Sequence, residues 1–164
     1  MRERSVGESM KIAIVYTSVT GNTEALMRII KQAFQEKDQA LSLFIYSVDT
    51  FDLSTLSRWD AVVVGTYSWG NGKIPREMRS LFTAFEEQEV SPLVTGVFGT
   101  GDSFYPHFCG AVDRFRDMLY VHTDLAVTLK VELLPQLQDL ERCALFVERL
   151  LTRLKQRNIG KVFA

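Results

Sequence analysis

Three short segments of this chain hold the residues that could do chemistry together, and all three combine small, hydroxylated or aromatic side chains with glycine. The first, Thr17-Ser-Val-Thr-Gly-Asn-Thr23, follows the apolar run Lys11-Ile-Ala-Ile-Val-Tyr16 and precedes Glu24-Ala-Leu-Met-Arg-Ile-Ile-Lys31, whose apolar residues have helical spacing. A strand, tight loop and helix in that order gather backbone N–H groups and a helix N-terminus around one point, which favours a bound phosphate. The hydroxyls of Ser18, Thr20 and Thr23 add donors at the same point. The loop has no Lys or Arg, so neutral donors and the helix dipole would hold the anion. The pattern is not GxxxxGK[ST], which excludes a nucleoside triphosphate loop, and Gly21 stands alone where a dinucleotide loop needs GxGxxG. A single terminal phosphate, as on a mononucleotide, fits what remains. On these residues alone a plain turn with a helix cap fits equally well.

The second and third segments favour a ligand site. Ala61-Val-Val-Val64 runs into Gly65-Thr-Tyr-Ser-Trp69 and Gly70-Asn-Gly72, a buried-type strand followed by aromatics and glycines. Leu93-Val-Thr-Gly-Val-Phe98 runs into Gly99-Thr-Gly-Asp-Ser-Phe-Tyr105-Pro-His-Phe-Cys109 in the same way. In an open parallel sheet such loops meet at the carboxyl ends of the strands, where ligands bind at the topological switch point. One loop would hold a phosphate and the other two a flat ring.

The elements that must position these loops alternate regularly. Strands are expected near 11–16, 41–47, 60–66, 93–98 and 124–132, and helices near 22–36, 75–88, 108–119 and 137–155. Leu137, Leu140, Ala144, Val147 and Leu151 make a stripe at spacings of three and four, expected as the core face of the last helix. The connection between the second and third strands is poorest in helix signal, with Phe51-Asp-Leu-Ser-Thr-Leu56 offering about one turn. Strands alternating with helices argue a doubly wound parallel α/β sheet with helices on both faces.

Taken together, the three loops resemble those of the flavodoxins. The family's phosphate loop, (Ser/Thr)-x-Thr-Gly-x-Thr, stands here as Ser18-Val-Thr-Gly-Asn-Thr23. Its second loop stands as Ser68-Trp-Gly-Asn-Gly72, and its third as Gly99-Thr-Gly-Asp-Ser-Phe-Tyr-Pro-His-Phe-Cys109. The resemblance extends from Met10 to about Lys155. It implies five strands in the order 2-1-3-4-5 and, because Thr123–Glu132 has no inserted loop, the short-chain form. It implies non-covalently bound FMN, held by Ser18, Val19, Thr20, Gly21, Asn22 and Thr23 in the first loop. Thr66, Tyr67, Ser68, Trp69 and Gly70 follow in the second, and Gly101, Asp102, Tyr105, Phe108 and Cys109 in the third. Trp69 and Tyr105 would flank the ring, with Phe104 and Tyr67 as rival stackers. The carbonyl of Gly70 would turn to accept a hydrogen bond from flavin N5–H, a movement that Gly permits because positive φ is open to it. The backbone of Asp102 would meet the pyrimidine edge.

The implied function is a low-potential single-electron carrier between a reductase-type donor and acceptor enzymes, not an enzyme itself. The alternative on the same fold is a two-electron, NAD(P)H-dependent quinone or flavin reductase. It would need space over the ring that Trp69 and Tyr105 obstruct. A phosphoacceptor receiver domain needs acids after its first and third strands, and this chain has Thr17, Ser18, Thr66 and Tyr67 there. Cys109 beside His107 suggests a nucleophile, but no third group is matched, and the Cys109 position reads as packing. No spacing of Cys, His or Asp suggests a metal site.

Composition agrees with one ordinary globular domain. The 164 residues are 46% hydrophobic and 24% charged, enough for a full core. A net charge of −1 offers no basic stripe for nucleic acid, and no apolar run is long enough to span a membrane. The two cysteines are too few for a disulfide scaffold, so reduced thiols in a cytoplasmic protein are expected. A monomer is expected as well. Residues 1–9 have no hydrophobic region and read as a disordered extension, with Met10 as candidate start, 10–155 as the domain and 156–164 as a C-terminal tail. Near neutrality departs from the acidic habit of the family. Gly72-Lys-Ile-Pro-Arg76 and His107 stand where acids are usual. Cations near the ring stabilise the anionic, fully reduced flavin, so its second reduction potential is expected to be less negative.

Overall fold

The computed structural model describes residues 9–37 and 40–163. Strands β1 (Met10–Tyr16), β2 (Leu41–Ser47), β3 (Ala61–Tyr67), β4 (Val94–Gly101) and β5 (Asp124–Glu132) form one sheet. Its order is β2-β1-β3-β4-β5 and every pairing is parallel. Helices α1 (Asn22–Gln35), α2 (Arg79–Glu87), α3 (Gly110–His122) and α4 (Leu137–Phe163) cover both faces.

The strands read as unbroken apolar runs because both of their faces are buried. Along β1, Ile12 and Ile14 pack into the core under α1 and α4, while Ala13 and Val15 pack into the core with α2 and α3. β3 repeats the alternation, with Ala61 and Val63 on the first face and Val62 and Val64 on the second. Phe34, Phe98 and Phe146 fill the first core, and Phe85 and Phe115 the second.

The connection from β2 to β3 contains no α-helix. It makes two 3₁₀ turns, Val48–Thr50 and Leu53–Arg58, the second opened by the Asp52 carboxylate accepting from the Ser54 N–H at 3.0 Å. Aromatic packing takes the place of a helix: Trp59 lies edge-on to Phe44 at 5.4 Å and to Tyr46 at 6.0 Å, with Phe51 beside Tyr46 at 5.3 Å.

Helix α4 departs from expectation in phase and in length. Leu137 is 86% exposed and Leu140 46%, whereas Cys143, Phe146, Leu150 and Leu154 join Val147 and Leu151 in the core. The first turn is oriented by a polar anchor instead: Asp139 is buried, accepts from the Gln136 N–H at 2.8 Å and pairs with Arg142 at 2.9 Å. Arg142 also donates to the Lys130 carbonyl at 2.7 Å, which ties that turn to β5. The expected tail after 155 is helical through Phe163, because Leu154 is buried and Arg153 and Arg157 both pair with Asp124. Residues 1–8 of the expected extension lie outside the described residues; Ser9 meets the Ser42 hydroxyl. No helix among the described residues is long and apolar enough to cross a membrane.

Candidate functional site

The chain leaves β1 for α1 on one face of the sheet and leaves β3 for α2 on the other. The loops at the carboxyl ends of these neighbouring strands must therefore diverge, and the crevice between them is the switch point at which such sheets bind ligands. β4 lies beside β3, so its loop closes the third side.

The phosphate-side loop begins with the Thr17 N–H donating to the Gly65 carbonyl at 3.0 Å, which keeps the two strands in register one residue beyond β1. Gly21 caps α1 with φ +93°, a conformation that a side chain would strain. The Ser18 hydroxyl accepts from the Glu24 N–H at 3.2 Å. The other N–H groups of the first turn have no intrahelical acceptor and point out of the helix end. Val19 and Thr20 are exposed, and Asn22 is partly so. Thr23 is different: it is 1% exposed, and its hydroxyl meets that of Thr100 in β4 at 2.8 Å.

In the second loop Trp69 and Lys73 exchange both backbone hydrogen bonds at 2.8 Å, closing a tight hairpin around Gly70, Asn71 and Gly72. Gly70 already has φ +50°, and a Cβ placed there would touch nothing within 4 Å. The space on the Cβ side of this tip is thus open. Gly72 is pressed against α3, since a Cβ on Gly110 would lie 2.6 Å from the Gly72 Cα. The Ser68 hydroxyl accepts from the Ala111 N–H at 3.0 Å, so it caps α3. Thr66 is fully buried and its hydroxyl donates to the Tyr67 carbonyl at 2.8 Å.

The third loop is shaped by Asp102, whose carboxylate accepts from the Phe104 N–H at 2.9 Å while its carbonyl accepts from Tyr105 at 3.1 Å. That turn presents Phe104 and Tyr105 outward, 88% and 53% exposed. Gly101 sits against the Cys109 backbone, where a Cβ would approach the nitrogen to 2.9 Å. Phe108 is partly buried against the second core. Cys109 caps α3 at φ +52° with its side chain buried, and burial pushes its thiol up to about 12. Its Sγ faces the Gly99 and Val131 carbonyls, so this group is a packed thiol and not a nucleophile.

Glu77 is the residue that sequence reasoning missed. Its Oε1 accepts from the Thr17 hydroxyl at 2.9 Å and from the Tyr67 hydroxyl at 2.7 Å. Burial alone would raise the Tyr67 hydroxyl, and the Glu77 acceptor and charge add to it, reaching about 12. No spacing rule could have found this contact, because its donors lie 60 and 10 residues away. Among the described residues no group of three or more His, Cys, Asp or Glu is placed to hold a metal ion.

The arrangement fits a flavin mononucleotide. The donors at the α1 end are hydroxyls and N–H groups suited to a phosphate. Trp69, Phe104 and Tyr105 are exposed aromatics that a flat ring would cover.

Comparison with known proteins agrees. The family model for flavodoxin matches residues 14–144. Probable flavodoxin 1 of Bacillus subtilis (strain 168) is 37% identical over 93% of this chain and 97% of its own length. Among solved structures, the flavodoxin of Streptococcus pneumoniae TIGR4 superposes with a TM-score of 0.80 at 32% identity, over 87% of this chain and 99% of that one. Oxidised flavodoxin 1 of Bacillus cereus gives 0.79 at 29% identity, over 87% and 97%. The fold, its strand order, the three loops and these likenesses together place the chain in the flavodoxin family of flavin-binding electron-transfer proteins.

Proposed function

We infer that this chain carries single electrons on non-covalently bound FMN, as a monomer in the cytoplasm, docking transiently with a reductase-type donor and with acceptor enzymes. The observation that carries the reading is the meeting of the glycine-capped α1 N-terminus, reached through a loop without Lys or Arg, with exposed Trp69 and Tyr105 at one switch point. Bound FMN supplies the one-electron chemistry; the protein's part is binding, shielding and tuning.

Ser18, Thr20, Asn22 and the first-turn N–H groups of α1 hold the phosphate through neutral donors and the helix dipole. Trp69 and Tyr105 exclude water from the ring faces. The hairpin tip at Gly70 leaves its carbonyl free to turn and accept a hydrogen bond at N5. Gly101 lets the third loop approach the ring edge, with Asp102 fixing that loop's shape.

The test is stepwise anaerobic photoreduction of the FMN-loaded protein followed by visible spectroscopy. A long-wavelength band that grows and then fades is the expected result, because it marks two separate one-electron steps. Direct bleaching without that band would overturn the single-electron reading and favour a two-electron enzyme.

A further inference from the structure

Glu77 occupies a place that the flavin reading does not use. It lies in the 3₁₀ turn Arg76–Met78 that leads into α2, outside all three loops. One of its carboxylate oxygens accepts two hydroxyls, from Thr17 at the start of the phosphate-side loop and from Tyr67 at the end of β3. Thr17 is 8% exposed and its N–H is tied to Gly65 in β3, so its hydroxyl has little freedom to leave Glu77. Tyr67 is followed directly by the hairpin that presents Trp69 and Gly70. The carboxylate, on an exposed residue, thus joins the ends of the two neighbouring strands whose loops must hold one ligand together. Charge-assisted hydrogen bonds of this kind are about twice as strong as neutral ones, and two on one oxygen constrain both donors at once.

We propose that Glu77 is a positioning residue that locks the phosphate-side loop to the ring-side loop, so that the two halves of the flavin site bind as one unit. The proposal rests on the flavin reading above. Preorganised halves add their affinities, whereas independent halves must be ordered anew on binding. The signature is therefore the advantage of FMN over riboflavin, which has the ring without the phosphate. A carboxylate acting only by its charge would repel the phosphate, and its removal would then tighten FMN binding.

The experiment is titration of the apo protein with FMN and with riboflavin, by quenching of flavin fluorescence, for wild type, Glu77→Ala, Glu77→Gln and Thr17→Val. Glu77→Ala and Thr17→Val are expected to lower the FMN-to-riboflavin affinity ratio by about tenfold, the loss of one charged hydrogen bond. Their effects should not add in the double variant, because both cut the same link. Glu77→Gln keeps an acceptor oxygen and should stay within about threefold of wild type. An unchanged ratio in Glu77→Ala and Thr17→Val, whatever their melting temperatures, would overturn the lock. Equal tightening in Glu77→Ala and Glu77→Gln would overturn it in favour of plain charge. Thr17→Val keeps the shape of the side chain and decides the matter if Glu77→Ala does not fold. Wild type that fails to prefer FMN would overturn the flavin reading itself, and the lock with it.

Discussion

Thr20 and Thr23 belong to the same short motif, yet their hydroxyls meet different surroundings. Thr20 is exposed in the loop, while Thr23 is buried against Thr100 at 2.8 Å. Thr20→Val should therefore weaken FMN binding about tenfold and leave the melting temperature of the apo protein nearly unchanged. Thr23→Val strands the Thr100 hydroxyl in the interior and should destabilise the fold by about 1–3 kcal/mol. Fluorescence titration and thermal melts of both variants check this; the reverse assignment of effects would show that the loop binds differently. The thiols are a second case at this scale. Burial raises Cys109 to about 12 and Cys143 to about 11, so neither is a thiolate at neutral pH. Ellman's reagent should find no fast-reacting thiol in the native protein and two after unfolding. A fast native thiol would revive Cys109 as a reactive group.

Among the elements, the link made by Glu77 has a pH signature. Burial raises its carboxyl, but hydrogen bonds from Tyr67, its own backbone and Thr17 together outweigh this and bring it below its ordinary value of 4.5. A depressed carboxyl contributes stability that is present above its unfolded pKa and lost as pH falls through the folded one. The gap in melting temperature between wild type and Glu77→Gln should thus shrink as pH falls from above the ordinary value of 4.5 through the lower folded one. A gap that is constant or grows on acidification would contradict the hydrogen-bonded carboxylate. The elements also show how sequence patterning can mislead. The stripe from Leu137 to Leu151 has good helical spacing, yet its first turn faces solvent because Asp139 and Arg142 anchor that turn to the domain. Periodicity reports which residues share a face, and two interleaved apolar faces on one long helix leave the choice to packing.

For the whole molecule, charge near the hairpin tip bears on the flavin's potentials. Net charge is −1, and Lys73 and Arg76 are exposed beside the hairpin that presents Trp69. Fixed cations near the ring favour its anionic reduced form, at about 1 kcal/mol per unit charge close to a surface. Potentiometric titration of Lys73→Glu/Arg76→Glu should show a more negative second potential than wild type, with the first much less affected. Equal second potentials would remove these cations from the account. The same residues favour a partner with an acidic docking face, whose association should slow as salt rises.

The alternation of strands and helices, the parallel sheet and the three loops at its carboxyl end were legible in the residue pattern. These are local properties: apolar runs bounded by glycine and hydroxyl residues bias the backbone wherever they stand. The family likewise was legible, because its motifs are contiguous: Ser18–Thr23, Ser68–Gly72 and Gly99–Cys109 each read as a unit. What each hydroxyl meets emerges only once the chain is folded. Ser68 caps α3, Thr23 meets Thr100, and Thr17 and Tyr67 converge on Glu77. The tertiary structure also decided that α4 runs on to Phe163, held by Asp124 from the far edge of the sheet. Each of these contacts joins residues distant in the chain, and a hydrogen bond depends on the position and direction of both partners, which no local pattern encodes.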